Sequence, residues 1–359
     1  MPRRTATLLA STLTLIALLC AALLLPVPYS EMSPGPTVNT LGEHGGEPVL
    51  QISGRKTYPT TGHLNMTTVR VTGADTKMNL VEVVSGWLLR DEKVVEHDTL
   101  YPSGQTAQQA DQENAEEFTQ SQDSAKVAAL KELGIPVGSR VIVSAVVKGG
   151  ASEGVLHAGD VIKAVDGTPV KAAADVAGLV TKHQPGEKVV FTVVPQKDAG
   201  KKDAATQDQT ITTRKSTDGG KARAVVGIQA GVEHTFPFKI DIKLADVGGP
   251  SAGLMFALGI VDKLTPTDLT GGKFVAGTGT IDDTGKVGPI GGIDMKTIGA
   301  RDKGAQYFLT PSDNCAEAAK DTPSGLRLVK VKTIDDAMAA LEKIRTGDTA
   351  SLPSCTPSS

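Results

Sequence analysis

The pattern of apolar and polar residues predicts one long apolar segment at the start of the chain, followed by many short strands and helices. Residues 5–28 follow a pair of arginines and contain no charge, and they are long enough to cross the roughly 30 Å hydrocarbon core of a bilayer. We therefore predict a transmembrane anchor here, with its basic flank in the cytoplasm and the bulk of the chain on the extracytoplasmic side. A cleaved signal peptide is the alternative, although Pro26 and Pro28 stand where a small-residue cleavage site is expected.

The segment after the anchor is predicted to be a Pro- and Gly-rich linker at residues 29–47. Strand-like runs follow at residues 49–52, 66–71 and 80–87. A stretch rich in Gln and Glu at residues 105–122 predicts an exposed helix or acidic loop, and residues 124–133 then carry apolar side chains at helical spacing. Residues 48–133 are thus predicted to form strands followed by a helix.

The next segment, residues 134–197, contains a predicted hairpin and helix. The sequence Gly-Asp-Val-Ile at residues 159–162 is followed by Asp-Gly-Thr-Pro-Val at residues 166–170. The Asp-Gly pair favours a tight turn between two strands. The whole pattern resembles the Gly-Asp-x-Ile and Asp/Asn-Gly-x-x-Val signature of PDZ domains in bacterial proteases.

The resemblance to PDZ domains implies a peptide-binding groove. Such domains add an extended peptide as a strand and hold its C-terminal carboxylate in backbone N–H groups. We expect the carboxylate loop near Gly134 and Ile135. The side wall of the groove is expected at residues 172–181, with Val176 and Leu179 as pocket residues.

A motif of small residues, Gly-Gly-Pro-Ser-Ala-Gly at residues 248–253, precedes an apolar run of helical length at residues 254–261. Pro250 fits the first turn of a helix, where its missing N–H costs nothing. We therefore expect Ser251 at the N-terminal end of a buried helix, where free N–H groups and the helix dipole can stabilise an oxyanion. A serine that only caps its helix is the alternative.

Lys296 lies on a second predicted helix, residues 293–303, which begins after a Pro-Ile-Gly-Gly sequence. It shares a face with Ile293 and Ala300, and no acidic residue stands three or four positions away. We therefore expect a buried amine, whose charged form is disfavoured by desolvation. A neutral amine beside a serine hydroxyl can act as its general base, as in a Ser–Lys dyad.

Residues 226–341 resemble the proteolytic domain of the Lon protease family. In that family the nucleophile lies in a Gly-Pro-Ser-Ala-Gly motif, and the lysine follows Pro-Ile-Gly-Gly on the next helix. The resemblance implies an α+β fold with Ser251 as nucleophile, Lys296 as general base and Thr278 as a hydrogen-bond partner of the lysine. Backbone N–H groups near Ser251 would bind the oxyanion, and the supporting residues of the motif are Gly249, Pro250 and Ala252.

The chain departs from the ATP-dependent Lon proteases in two respects. Their ATPase module needs a phosphate loop ending in Gly-Lys-Ser/Thr, and every Gly-Lys pair here is followed by a different residue. We therefore expect neither a nucleotide nor any other cofactor. Where the family often has an acid three residues before the serine, this chain has Gly248, with Asp246 as the nearest carboxylate. An auxiliary role for an acid is therefore not supported.

The two resemblances together predict a PDZ domain inserted into a Lon-type proteolytic domain. The predicted segments are, in order, the anchor at residues 5–28, a linker at 29–47, the first part of the proteolytic domain at 48–133, the PDZ domain at 134–197, a linker or hairpin at 198–222, the catalytic part at 223–345 and a tail at 346–359.

Charge and cysteine content narrow the choice of partner and compartment. The net charge of −3 gives no support for nucleic-acid binding. Outside the anchor, Cys315 and Cys355 form an even pair in a predicted oxidising compartment, so we expect a disulfide, with two free thiols as the alternative. The six histidines show no metal-ligand spacing, so no metal is expected. His234 precedes Ser251 and leaves a Ser–His hydrolase as an alternative to the dyad.

These features predict a membrane-anchored, ATP-independent serine endopeptidase whose PDZ domain captures unfolded polypeptides or their C-terminal ends outside the cytoplasmic membrane. The predicted partners are extended polypeptides and, through the anchor, the membrane. Rings occur in the Lon family, so a homo-oligomer stays open. The alternative function is a PDZ peptide-binding scaffold or holdase whose protease fold is inactive or processes only itself.

Overall fold

The computed structural model describes the chain except for residues 1–2, 103, 202, 218–221, 245–246 and 357–359. It contains two compact units. The first unit comprises Met1–Ile135 and Phe238–Ser359, and the second unit is Pro136–Pro237. The second unit is therefore inserted, along the sequence, between the two segments of the first.

Helices occur in both units and vary widely in length. They are α1 (Arg3–Leu24), α2 (Leu80–Leu88), α3 (His97–Leu100), α4 (Ala107–Glu132), α5 (Ala173–Val180), α6 (Gly253–Leu264), α7 (Ile293–Asp302), α8 (Cys315–Ala318) and α9 (Ile334–Thr346).

The strands of the first unit precede and follow the inserted unit. They are β1 (Pro26–Val27), β2 (Tyr29–Asn39), β3 (Glu43–His44), β4 (Glu47–Pro48), β5 (Leu50–Ser53), β6 (His63–Val71), β7 (Met78–Asn79), β8 (Lys93–Glu96), β17 (Lys239–Ile242), β18 (Phe274–Gly277), β19 (Thr280–Ile281), β20 (Val287–Gly288), β21 (Tyr307–Pro311) and β22 (Arg327–Val331). Those of the second unit are β9 (Gly138–Val146), β10 (Val161–Val165), β11 (Thr168–Pro169), β12 (Lys188–Val194), β13 (Gln207–Thr212), β14 (Arg214–Ser216), β15 (Arg223–Val225) and β16 (Ile228–Thr235).

The first unit is built on a mixed sheet with the strand order β22–β21–β18–β6–β2–β8. Neighbours from β22 to β6 are parallel, whereas β2 is antiparallel to both β6 and β8. Helix α6 contacts α4, α9 and β6, and its residues Gly253 to Asp262 are all buried. The helix is apolar on nearly every side because neighbouring elements cover it on every side.

The second unit is built on a sheet with the order β13–β12–β10–β9–β16, and the short strand β11 pairs with β10. Its core contains fully buried Val143, Val165, Val189 and Phe191. Helix α5 contacts β16 and β10, and it places Val176 and Val180 in this core. Strand β16 lies at an edge of the sheet, so among the residues that the structure describes no strand neighbours one side of its backbone.

The predicted linker at residues 29–47 is wrong, because Tyr29–Asn39 forms strand β2 inside the main sheet. The prolines of this segment suggested a linker. They are accommodated because the register between β2 and β6 shifts between Pro34 and Thr37, and a bulge needs no ladder hydrogen bond from proline.

Between residues 80 and 133, one prediction of local structure is wrong and one is confirmed. The predicted strand at residues 80–87 is helix α2, which Asn79 and Glu82 start with a capping box: each side chain accepts a hydrogen bond from the other residue's backbone N–H. Of the exposed helix or acidic loop predicted at residues 105–122, the structure has the helix, and it continues through the helix predicted at residues 124–133 as α4, which begins at a second capping box of Thr106 and Gln109.

Two boundaries of the inserted segment differ from the predicted ones. Strand β13 lies in the predicted linker at residues 198–222, yet it pairs along the length of β12. Strand β16 lies in the predicted catalytic part, yet it pairs with β9. Both strands therefore belong to the second unit, which extends to Pro237.

Within the described residues, α1 is the one helix long and apolar enough to cross a membrane. None of its residues is buried in the protein. A signal sequence near an N-terminus has the same length and composition.

Candidate active site

Ser251 lies in the turn that leads into helix α6, two residues before the first helical residue. The preceding Gly249 has a φ of +79°, a left-handed conformation that favours glycine. Helix α4 holds the turn from one side, since the Ser121 hydroxyl donates to the Pro250 carbonyl at 2.9 Å. The Gly249 N–H donates to the carbonyl of Asn114 on the same helix, also at 2.9 Å.

Lys296 reaches the turn from helix α7, which packs on β2 and β6. The helix begins after Gly292, whose φ is +64°. A Cβ atom at Gly292 would lie 2.8 Å from side-chain atoms of both Met32 and Val69, so only glycine allows the helix to approach the sheet this closely. Ile293 and Ala300 are fully buried on the same face as Lys296, which agrees with the inward direction predicted for the lysine.

The amine of Lys296 lies beside two hydroxyl groups. Its Nζ is 2.7 Å from Oγ of Ser251 and 3.1 Å from Oγ1 of Thr278. The Thr278 hydroxyl donates to the Ser251 carbonyl at 3.0 Å, and the Gly279 N–H donates to the same carbonyl at 2.8 Å. The segment after β18 therefore fixes both the serine backbone and the lysine amine.

Burial controls the charge of this lysine. Lys296 is only 2% exposed, and burial lowers its pKa to about 7 because desolvation disfavours the ammonium form. A large fraction of the amine is then neutral near pH 7, and a neutral amine 2.7 Å from a hydroxyl can accept its proton. The arrangement is suited to activating Ser251 as a nucleophile.

The predicted supporting residues divide into two groups with respect to oxyanion binding. Gly249 is not free to donate, because its N–H is bonded to Asn114, and Pro250 has no N–H. The backbone amides of Ser251 and Ala252 remain as candidate donors. Both lie at the start of α6, where the helix dipole favours negative charge. Asp246, the nearest carboxylate in the sequence, lies outside the described residues.

Ser251 and Lys296 open into a cleft of about 310 Å³. The other residues that line it come from β2, β6 and the segment before the serine: Pro36, Thr68, Val69, Arg70, Val247 and Gly248. Sequence reasoning missed the contribution of β2 and β6. These strands lie far from Ser251 along the chain, and only the sheet register, in which Pro34 pairs with Val69, brings them to the site.

A second concave site, of about 410 Å³, lies in the second unit between α5 and the segment formed by β15 and β16. Val176 lines this groove, as predicted for the side wall. Leu179 does not line it; its half-buried side chain packs against the core of the unit. The edge of β16 adjoins the groove through Ile228 and Ala230, and an exposed strand edge is what an added peptide strand requires.

The predicted carboxylate loop at Gly134 and Ile135 is wrong. Both amides end helix α4: the Gly134 N–H donates to the Lys131 carbonyl and the Ile135 N–H to the Leu130 carbonyl. Gly134 has a φ of +65°, the usual conformation of a helix C-terminal cap, so these amides are committed to the helix. Val225, at the end of β15, and Val226 line the groove. Gly227, with a φ of +74°, connects them to β16.

Three other predicted features are placed as follows. Cys315 and Cys355 form a disulfide bond, whereas Cys20 in α1 is free. His234 lies in β16 of the second unit and does not line the Ser251 cleft. Within the described ranges, no group of three or more His, Cys, Asp or Glu residues is arranged to hold a metal ion.

Two family models match the chain. Residues 245–343 match the model described as the Lon protease (S16) C-terminal proteolytic domain. Residues 111–206 match the PDZ domain model. The first match includes Ser251, Thr278 and Lys296, and both matches agree with the mixed helix and strand content of the structure.

Curated relatives match about a quarter of the chain. The Lon protease of Azospirillum brasilense is 39% identical over 93 residues, which is 25% of this chain and 11% of that protein. Lon protease 1 of Sorangium cellulosum is 38% identical over 101 residues, 27% of this chain and 12% of that protein. Lon protease 1 of Bacillus subtilis is 33% identical over 105 residues, which is 28% of this chain and 13% of that protein. The chain thus spans about an eighth of the length of these relatives.

Among solved structures, the PDZ domain of an SdrC-like protein from Listeria monocytogenes matches 25% of this chain and 86% of that domain, with 23% identity and a TM-score of 0.21. The family models and the curated relatives confirm the predictions of a Lon-type proteolytic domain and a PDZ domain. The chain therefore joins a PDZ domain to a Lon-type serine protease domain.

Proposed function

We propose that this protein is a membrane-anchored serine endopeptidase that works without ATP, with Ser251 as the nucleophile and Lys296 as the general base. The observation that carries this proposal is the pair of side chains itself. A hydroxyl and an amine lie 2.7 Å apart, and the amine is buried, with a pKa lowered to about 7. Nucleophile and base are within direct reach of each other, as general-base activation requires.

In the proposed reaction, Lys296 Nζ accepts the Ser251 proton while Oγ attacks the peptide carbonyl. The resulting oxyanion is stabilised by the amides of Ser251 and Ala252. The ammonium of Lys296 then gives the proton to the leaving amine, the C–N bond breaks and an acyl-enzyme forms. A water molecule, deprotonated by the neutral lysine, attacks the ester and releases the new carboxyl end and the free Ser251 hydroxyl.

Thr278 is proposed to hold the lysine in place. Its hydroxyl donates to the Ser251 carbonyl, so its lone pairs face the Lys296 amine at 3.1 Å. Such a partner fixes the amine position without adding a negative charge, and the pKa of Lys296 can stay low.

The groove in the second unit is proposed to capture substrate. It combines the exposed edge of β16 with an apolar wall from α5, a geometry suited to an extended peptide that adds as a strand. Unfolded polypeptides and free C-terminal ends are the substrates that offer an extended backbone. Folded proteins would need an unfoldase, and no phosphate loop ending in Gly-Lys-Ser/Thr occurs within these 359 residues.

Membrane anchoring is proposed from α1, which is apolar, long enough to span a bilayer and begins with Arg3 and Arg4. The basic flank favours a cytoplasmic N-terminus, with the bulk of the chain after α1 on the extracytoplasmic side. The disulfide between Cys315 and Cys355 fits an oxidising compartment of this kind.

Cleavage of unfolded casein by the full-length protein tests the catalytic proposal. We expect Ser251→Ala and Lys296→Met each to abolish fragment formation while the circular dichroism spectrum is unchanged. Lys303→Met is the matched control, since Lys303 is exposed at the end of the same helix, and it should cleave normally. If Lys296→Met retained cleavage, the lysine would not be the base. If the wild type bound casein without cutting it, the protein would act as a peptide-binding scaffold or holdase instead.

A further inference from the structure

The outer face of helix α2 is apolar and exposed. Outside α1, nine large hydrophobic side chains are exposed in the described residues, and six of these nine lie between Leu80 and Leu89. Trp87 is 62% exposed and Leu88 is 79% exposed. A concentration of this kind on one short helix marks an interaction surface, whereas exposed hydrophobic residues scattered singly are normal.

The exposed apolar residues of α2 share one side of the helix. At 100° per residue they fall within an arc of about 120°. We name this surface the α2 face; its residues are Leu80, Val81, Val84, Trp87 and Leu88. The opposite side is covered, since Val83 is buried and a Cβ atom at Gly86 would lie 2.6 Å from the Val94 side chain on β8. The helix is therefore firmly seated, with its apolar face turned outward.

Strand pairing places this face beside the end of α1. Strand β1 follows α1 directly, and it pairs with β7, in the register Pro26 with Asn79. Asn79 is the N-cap of α2, and α2 itself contacts α1. The ring of Trp87 packs edge-on against Tyr29, with 6.3 Å between the centroids. The α2 face is thus continuous with the point where the chain leaves the proposed anchor.

We propose that α2 is a second membrane contact, lying in the interface of the bilayer that holds α1 with the α2 face in the boundary between headgroups and acyl chains. The inference rests on the proposed membrane anchor. An amphipathic helix that exposes a tryptophan on its apolar side suits this boundary, where tryptophan and tyrosine are enriched. Together the two contacts would restrict the tilt of the proteolytic domain relative to the membrane.

The charges around α2 indicate which lipid surface it fits. Lys77 and Arg90 flank the helix. The pKa of Glu31 is raised, first by burial and then by the nearby negative charges of Glu92, Glu82 and Asp91. Acidic groups so close to the interface oppose binding to an anionic surface. Burial of the apolar face, and not attraction to lipid charge, would therefore hold the helix on a zwitterionic bilayer.

Trp87 is the only tryptophan of the chain, so its fluorescence reports on this helix alone. The experiment reconstitutes the full chain in phosphatidylcholine vesicles, with acyl chains either unmodified or brominated near their headgroup end. At an interfacial depth of about 5–10 Å, we expect a blue-shifted emission and a roughly twofold loss of intensity in the brominated lipid. Flotation with the vesicles after a carbonate wash shows separately whether α1 is inserted.

The control carries Trp87→Phe with Tyr307→Trp. Tyr307 lies on β21, three strands from β2 and so roughly 14 Å away across the sheet. The emission of a tryptophan at this position should not be quenched by the brominated lipid. Floating chains with unquenched Trp87 would overturn the inference alone and would indicate that a second copy or another protein covers the α2 face. Equal quenching in the control would also overturn it. Chains that fail to float would overturn the anchor and this inference together.

Discussion

Lys296 illustrates how the burial of a side chain can by itself make that side chain a general base. The hydrogen-bond partners that the structure gives its amine are two neutral hydroxyls, those of Ser251 and Thr278. A carboxylate at the same distance would stabilise the ammonium and raise its pKa, whereas a hydroxyl leaves the effect of burial dominant. Desolvation alone therefore prepares the amine to accept a proton near neutral pH.

The pH dependence of cleavage follows from this lowered pKa. Only the neutral amine can take the Ser251 proton, so kcat/KM for a short fluorogenic peptide should fall as the pH drops through about 7 and level off above it. A short peptide keeps the groove of the second unit out of the measurement. An inflection near the ordinary lysine value of about 10 would show that the amine is solvated in solution and would contradict the proposed role of burial.

The sequence was sufficient to place Ser251 just before an apolar helix and Lys296 on the apolar face of another, because small residues adjoin both and the apolar positions have helical spacing. It could not identify which amides are free. The Gly249 N–H is taken by Asn114, a residue on a helix that lies far away along the chain. The cleft residues Thr68 and Arg70 were missed for the same reason, since only sheet register brings them to the site.

At the scale of elements, periodicity failed where local hydrogen bonds decide the structure. Residues 80–87 are rich in valine and leucine and were predicted as a strand, yet the capping box of Asn79 and Glu82 starts a helix there. Residues 29–39 were predicted as a linker because of their prolines, yet a bulge accommodates them in β2. The helix predicted at residues 293–303 from its apolar face is α7, Ile293–Asp302, so its ends were predicted within one residue.

The junction of α4 with α9 should make stability depend on pH. Burial raises the pKa of Glu132 to about 7, and a hydrogen bond with Asp335 on α9 adds to the effect. The folded state therefore keeps a proton that the unfolded chain releases above the ordinary value of 4.5. By linkage, stability should fall as the pH rises from about 4.5 to about 7 and stay lower above that range.

Glu132→Gln tests this linkage, because glutamine keeps the hydrogen-bonding ability of the protonated acid without its ionisation. We expect the variant to melt at a higher temperature than the wild type at pH 8, with little difference at pH 5. The control is Glu116→Gln, an exposed position on the same helix, which should show no such pH-dependent gain. A Glu132→Gln variant that is less stable than the wild type at pH 8 would contradict the raised pKa.

At the scale of the whole molecule, the C-terminal tail is held to the first unit by both backbone and covalent contacts. The Lys330 N–H donates to the Pro353 carbonyl, and Ser354 forms an isolated bridge with Val329 on β22. The disulfide between Cys315 and Cys355 joins residues 40 positions apart. Closing a loop of this length stabilises the fold by roughly 3–4 kcal/mol in the chain-entropy model.

Cys355→Ser should therefore lower the free energy of unfolding by roughly 3–4 kcal/mol in urea titrations. Casein cleavage at 25 °C should be retained, because the bond lies outside the Ser251 cleft. Reduction provides the matched control: dithiothreitol should lower the stability of the wild type to that of the variant and should leave the variant unchanged. A wild type that is insensitive to reduction would show that the bond contributes nothing.

Capture of substrate by the groove and its cleavage by the dyad involve both units, since the groove lies in the second unit and the dyad in the first. Ala177 is exposed on α5 and lines the groove, so Ala177→Arg should obstruct a bound strand without disturbing the core. We expect a higher KM for unfolded casein, with kcat/KM for a short peptide unchanged. Gln184→Arg adds the same charge to an exposed loop of the same unit outside the groove and should leave both substrates unaffected. Equal casein kinetics in the two variants would mean that the groove takes no part in substrate capture.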